Sequence, residues 1–157
     1  MLSIVTADAI GVIVLVFSGT EVSDADYQRS IDAIEASDRA ALARGIHHVC
    51  ILVTDHDTPR PPPAWRQRMA ASNDKLKSPR CYFAVVSPSV LIRGVFTAIQ
   101  WIMRRNTGRN FVACATFAEA AAGARADTGQ LLSNLEALFA AAKPAVNADG
   151  RRSRESS

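Results

Sequence analysis

The stretch IHHVCILVT, residues 46–54, decides how the chain folds. It passes without a formally charged side chain, and Val49 to Val53 are apolar without a break. Such a run has the length of a strand, and unbroken apolarity, as opposed to alternation, is expected where both faces of the strand are covered. Helices must then lie above and below it, which points to a parallel sheet inside an α/β fold. Gly45 and Asp55 bracket the run, with His47 and His48 at its entrance.

Upstream, SDADYQRSIDAIEASDRAALARG (residues 23–45) has a helical period, with Tyr27, Ile31, Ile34, Ala41 and Leu42 on one face. Ser23 or Asp24 is placed to cap its start and Gly45 to stop it. Ahead of it, Ser3–Thr6 and Gly11–Phe17 are rich in Ile and Val around a break containing Asp8, the pattern of a hairpin. Downstream, residues 64–76 read as a helix led in by prolines, where a missing N–H costs least. CYFAVV (81–86) reads as another buried strand, and Ser89 caps VLIRGVFTAIQWIMRR (90–105), a helix apolar around most of its circumference. Residues 110–115 form a last strand, and Thr116 caps FAEAAAGARA. Asp127, Thr128 and Gly129 break that region before a final helix in GQLLSNLEALFAAAK.

This order predicts an α/β domain over residues 1–143: a mixed, mostly parallel sheet of about five strands, an N-terminal antiparallel hairpin and about four helices. One core suits 157 residues with 48% apolar content. Residues 144–157 lack an apolar period and are expected to be a disordered tail. Cys50, Cys81 and Cys114 lie far apart inside apolar runs, as small buried hydrophobes in a reducing compartment do. The apolar N-terminus lacks a basic leader and is interrupted by Asp8, and the 90–103 helix is too short for a membrane span. A cytoplasmic protein is expected. Residues 1–58 hold three basic and nine acidic side chains against fifteen and six in the remainder, yet no aromatic residues interleave with the basic ones, which argues against a nucleic-acid surface.

The element order, with GVIVLVFSGTEVSDADYQRSIDAI, IHHVCILVTD and RNFVACATFAEAAAGA as its carriers, resembles the STAS domain of bacterial anti-sigma-factor antagonists. It resembles most the SpoIIAA-like branch described as STAS/SEC14, over roughly residues 3–126. In the antagonists the loop after the central strand holds an Asp-Ser-Ser-Gly-like motif whose serine a partner kinase phosphorylates. The matching place here is Thr54-Asp55-His56-Asp57-Thr58, without a Ser-Gly pair. The resemblance thus implies Thr58 as the phosphorylation candidate, although Pro59 follows it directly. It also implies that the next helix docks a protein partner, and its SEC14 half implies an apolar ligand.

Read from the residues themselves, Asp55 and Asp57 could share a site, with His56 turned away. His47 and His48 lie at the far end of the strand, about 20 Å off, too distant to complete a metal site. A polar loop whose aspartates bind backbone N–H groups fits better. Ser87 and Ser89 either bind an anion at a helix N-terminus or simply cap it. Arg60, Arg66, Arg68, Lys75, Lys77 and Arg80 make the 64–76 helix basic. Trp65 and Met69 are either the apolar centre of a contact patch there or, the better fit, face the sheet. Ile92, Phe96, Ile99 and Trp101 read as core, and a surplus apolar stripe on their helix serves a homodimer or lines a pocket. No Gly-rich phosphate loop, nucleophile elbow or Cys with a plausible base is present.

The expected function is a regulatory module without catalytic residues, cofactor or metal. Its partner surface comprises Asp55, Asp57, Thr58, Arg60, Trp65, Arg66, Arg68 and Met69. The alternative is a small-ligand or lipid binder, or a metal-dependent enzyme, using residues 55–60 and 87–89.

Overall fold

A computed structural model describes residues 1–103, 109–129 and 132–143, with 98–103 described by backbone alone. The chain runs β1 (Leu2–Ala7), a 3-10 turn (Asp8–Ile10), β2 (Val12–Phe17), α1 (Asp24–Arg44), β3 (His48–Thr54) and α2 (Pro63–Asn73). It continues through β4 (Cys81–Val86), α3 (Val90–Met103), β5 (Arg109–Cys114), α4 (Phe117–Thr128) and α5 (Leu135–Ala142). The five strands form one sheet in sequence order, with β1 antiparallel to β2 and every later pair parallel. The mixed sheet with its N-terminal hairpin is the one expected. The helices number five among the described residues, because α4 and α5 are separate.

Strand parity sorts the core into two layers. Ile13, Leu15, Phe17, Cys50, Leu52 and Val85 pack with Tyr27, Ile31 and Ile34 of α1 and Trp65 of α2. Val14, Val16, Ile51, Val53 and Ala84 pack on the other face, under Phe117, Ala120 and Ala121 of α4 and Leu135 of α5. Residues of β2 and β3 are therefore buried on both sides, and this is why neither strand alternates in sequence. Each connection from β2 to β5 moves one strand across with its helix on the same face, as a uniform crossover hand requires.

Local chemistry sets the ends. The Ser23 hydroxyl accepts from the Asp26 N–H at 3.1 Å while the Asp26 carboxylate accepts from the Ser23 N–H at 3.2 Å, a reciprocal cap that selects Ser23 over Asp24. The central strand begins two residues later than expected, because the Gly45 and Ile46 N–H groups turn back onto Leu42 and Ala41 to finish α1. Leu42 is 41% exposed and lies outside the packed stripe. α2 ends at Asn73, short of the expected 76, because the Asp38 carboxylate accepts from the Lys77 N–H at 2.7 Å and the Ser78 N–H at 3.2 Å. α4 runs through Asp127 and Thr128 and stops at Gly129, which adopts a left-handed conformation. Ile99 and Trp101, with the expected tail 144–157, lie outside the described side chains and residues. Among the described residues no helix is long and apolar enough to cross a membrane.

α4 sits very close to β4. The Tyr82 hydroxyl donates to the Ala120 carbonyl at 3.0 Å, and a Cβ on Gly123 would collide with the Tyr82 hydroxyl oxygen. Gly123→Ala is expected to cost about 1–3 kcal/mol in urea unfolding, and less in a Tyr82→Phe background, where the obstructing oxygen is gone.

Candidate functional site

Asp55 begins the loop that leaves β3, and its carboxylate is fully engaged. One oxygen accepts from the Asp57 N–H at 3.1 Å, the Thr58 N–H at 2.8 Å and the Thr58 hydroxyl at 2.6 Å; the other accepts from the Gly19 N–H at 2.8 Å. Burial pushes this carboxyl up, but the Thr58 hydroxyl and the N–H groups of Gly19, Thr58 and Asp57 together hold it below its ordinary range. Asp55 is thus a staple between the exits of β2 and β3. Thr58 is buried, and its hydroxyl oxygen also lies 3.1 Å from the Phe17 carbonyl oxygen and accepts from the Asp55 N–H at 3.3 Å. A kinase would have to open this arrangement before reaching it. His56 and Asp57 are exposed and do not converge with Asp55 on a common site.

Trp65 and Met69 turn inward, so the apolar centre of the expected contact patch is not on the surface. Trp65 is 7% exposed, stacks on Tyr27 at 5.5 Å between ring centroids, and donates its indole N–H to Asp24 at 2.6 Å. Arg68 is engaged as well, its guanidinium 4.0 Å over the Trp65 ring and hydrogen-bonded to Gln28. Asp57, Arg60, Arg66 and Arg68 are the exposed members of the expected surface, Arg68 being the one held by Trp65 and Gln28.

Ser87 and Ser89 act as connectors. The buried Ser87 hydroxyl oxygen accepts from the Thr54 hydroxyl at 2.9 Å and the Ser89 N–H at 3.2 Å; the Ser89 hydroxyl oxygen accepts from Ile92 N–H at 3.4 Å at the start of α3. Arg93 donates to the carbonyls of Ser87 and Pro88 at 2.6 and 3.0 Å. Capping and turn bonds account for the positions of both serine oxygens.

The feature best shaped for a ligand lies under α2. That helix has a poor apolar face, with only Trp65 and Ser72 buried. It packs most closely on α1, while α1 and α3 lie on the sheet. The small side chains of Ala70, exposed at the rim, and of the buried Ser72 leave unfilled the space over Phe83, Val85 and Phe111. The result is an apolar cleft of about 100 Å³ whose walls include Ile31, Ile34, Met69, Val95 and Phe96. Pro61 and Arg66 also border it. A second void of about 20 Å³ reaches Thr54 and Thr58 and shares Leu52, Pro61, Met69 and Phe96 with the first. Part of the surplus apolar surface read on the 90–105 helix, Val95 and Phe96, is thus accounted for by this cleft.

At the opposite sheet edge is a cluster that the sequence reading left without a role. His48 is fully buried, its Nδ1 3.5 Å from an Asp38 carboxylate oxygen and 3.7 Å from the Cys81 sulfur. Its Nε2 is buried without a hydrogen-bond partner among the described residues. Burial pushes His48 down to about 4 against the pull of Asp38, and pushes the Cys81 thiol up to about 12. A neutral imidazole beside an un-ionised, enclosed thiol is a packing arrangement, not a nucleophile and base open to substrate. The only sequence signal was position: a histidine inside a run that both sheet faces cover. Among the described residues no three His, Cys, Asp or Glu side chains are grouped to hold a metal ion. No family model matches the chain, and no curated protein or solved structure matches it significantly.

Thr58→Val should lower stability by about 1–2 kcal/mol through the lost charge-assisted bond to Asp55, whereas Thr58→Ser stays near wild type in urea unfolding. His48 gives a separate acid signature. Its folded pKa of about 4 lies below the ordinary value of 6.5, so its contribution is complete above 6.5 and is lost as pH falls from there toward 4. Urea unfolding should report a fall in stability across that window, and His48→Leu should flatten it.

Proposed function

We propose that the chain is a binding module that works without turnover and that its site is the apolar cleft under α2 and α3. The observation that carries this reading is the unfilled space itself, about 100 Å³ in an otherwise two-layer packed core. Pockets for drug-sized ligands occupy about 300–1,000 Å³. An apolar cavity of roughly 150 Å³ accommodates one benzene molecule. The cleft is smaller than that but open at its mouth, so a short alkyl chain, or a ring that projects partly from the mouth, is the scale of ligand that fits.

The surrounding chemistry supports binding over reaction. Asp55, Thr58, Ser87 and Ser89 are engaged with one another and with the backbone, and His48 and Cys81 are enclosed. The resemblance to the SpoIIAA-like STAS/SEC14 family supports the same reading through the apolar ligand it implies. Three buried free thiols fit a reducing cytoplasm.

Contact with a protein partner, in the manner of the anti-sigma-factor antagonists, is the second reading, and one specific observation favours it. Val90 and Leu91 are 74% and 55% exposed at the start of α3. β3 and β4 are adjacent and parallel, so the loops that follow them share one sheet edge, where Asp57 and Arg60 are also exposed. In this reading the exposed pair serves a regulatory partner or a second copy of the chain.

Hexan-1-ol, a neutral probe of suitable size, tests the first reading. It should produce saturable NMR shifts in the methyl groups of Leu52, Met69 and Val85, and Ala70→Phe, which grows into the space, should weaken binding at least about tenfold. Shifts that fail to saturate, or that centre on Val90 and Leu91, would overturn it.

A further inference from the structure

We infer that the cleft takes an amphipathic monocarboxylate, with its apolar part beneath α2 and α3 and its anionic group on the Arg66 guanidinium. This inference rests on the cleft being the binding site and adds the chemical class of its ligand.

Charge complementarity is the first support. Among the described residues lining the cleft, Arg66 alone carries a formal charge. It is exposed, and its guanidinium makes no hydrogen bond or ion pair among the described residues. Arg68, two residues along the same helix, is tied to Trp65 and Gln28. The nearby carboxylate is also accounted for: Glu35 accepts from the Ser72 hydroxyl at 2.8 Å, lies 3.7 Å from Lys75, and is not part of the lining. An anion at the mouth thus meets an unengaged cation, not a competing acid.

The apolar walls supply the second support. A ligand with several charges would have to desolvate them against Ile34, Phe83, Val85 and Phe111, at a cost that one arginine at the rim does not offset. An apolar amine would place its charge against Arg66. A wholly neutral hydrocarbon fits the walls but leaves the guanidinium unused. One carboxylate matches both parts, because its two oxygens suit the planar fork of arginine. The volume limits the apolar part to a short chain of about six carbons at most.

The experiment compares hexanoate, hexan-1-ol and hexylamine on the full chain by methyl NMR titration. At low ionic strength hexanoate should bind about fivefold more tightly than hexan-1-ol, the scale of a partly exposed ion pair, and hexylamine most weakly. Arg66→Gln should abolish the preference for hexanoate over hexan-1-ol, Arg66→Lys should keep part of it, and about 0.5 M salt should shrink it in the wild type. Equal affinity for hexanoate and hexan-1-ol, or a preference that survives in Arg66→Gln, overturns this inference and leaves the apolar site standing. If none of the three probes binds, the site reading falls and this inference with it.

Discussion

Burial of β3 on both faces is the constraint from which the rest of the molecule follows. Val49, Ile51 and Val53 meet α4 and α5, while Cys50 and Leu52 meet the layer of α1 and α2. Each large side chain so buried contributes about 1.5–3 kcal/mol, which only a sheet sandwiched between helices can supply along an unbroken run. Once β3 is central, the parallel neighbours β2 and β4 and the same-face crossovers are the simplest way to cover it. The hairpin partner β1 then closes one edge and β5 the other.

Within this frame α2 is the weakly packed element. Its sequence PAWRQRMAASN offers one large aromatic anchor and a series of small residues. Trp65 fixes the helix to α1 through Asp24 and Tyr27, and Arg109 holds the far end by donating to the Asn73 carbonyl at 2.8 Å. Between those anchors little reaches down to Phe83 and Phe111. The cleft is the geometric result of a helix anchored near its two ends with a thin inner face.

The fold was legible because its signals are periodic and local. β4 was read to the residue, and Thr116 and Gly45 marked helix boundaries where the structure has them. Errors arose where a distant group intervened: Asp38 on α1 draws residues 77 and 78 away from a helix that composition would extend. The site was less legible for the same reason. That Asp55 binds backbone N–H groups was readable, yet its bond to Gly19 depends on two strand exits being adjacent. The inward turn of Trp65 was readable as the better fit, whereas its bond to Asp24 and the tie between Arg68 and Gln28 depend on the α1 residues opposite them. The cleft depends on which floor residues lie under Ala70 and Ser72, and strand register decides that, not the sequence of either element alone.

The three cysteines have a consequence of their own. Cys50, Cys81 and Cys114 sit on successive strands of one sheet, all reduced and all buried. Exchange or alkylation at each sulfur needs a local opening, so the rates form a depth gauge of breathing, with Cys114 on the rim and Cys50 in the middle. The molecule carries an intrinsic set of chemical clocks, and a foreign label is unnecessary for following how its layers part.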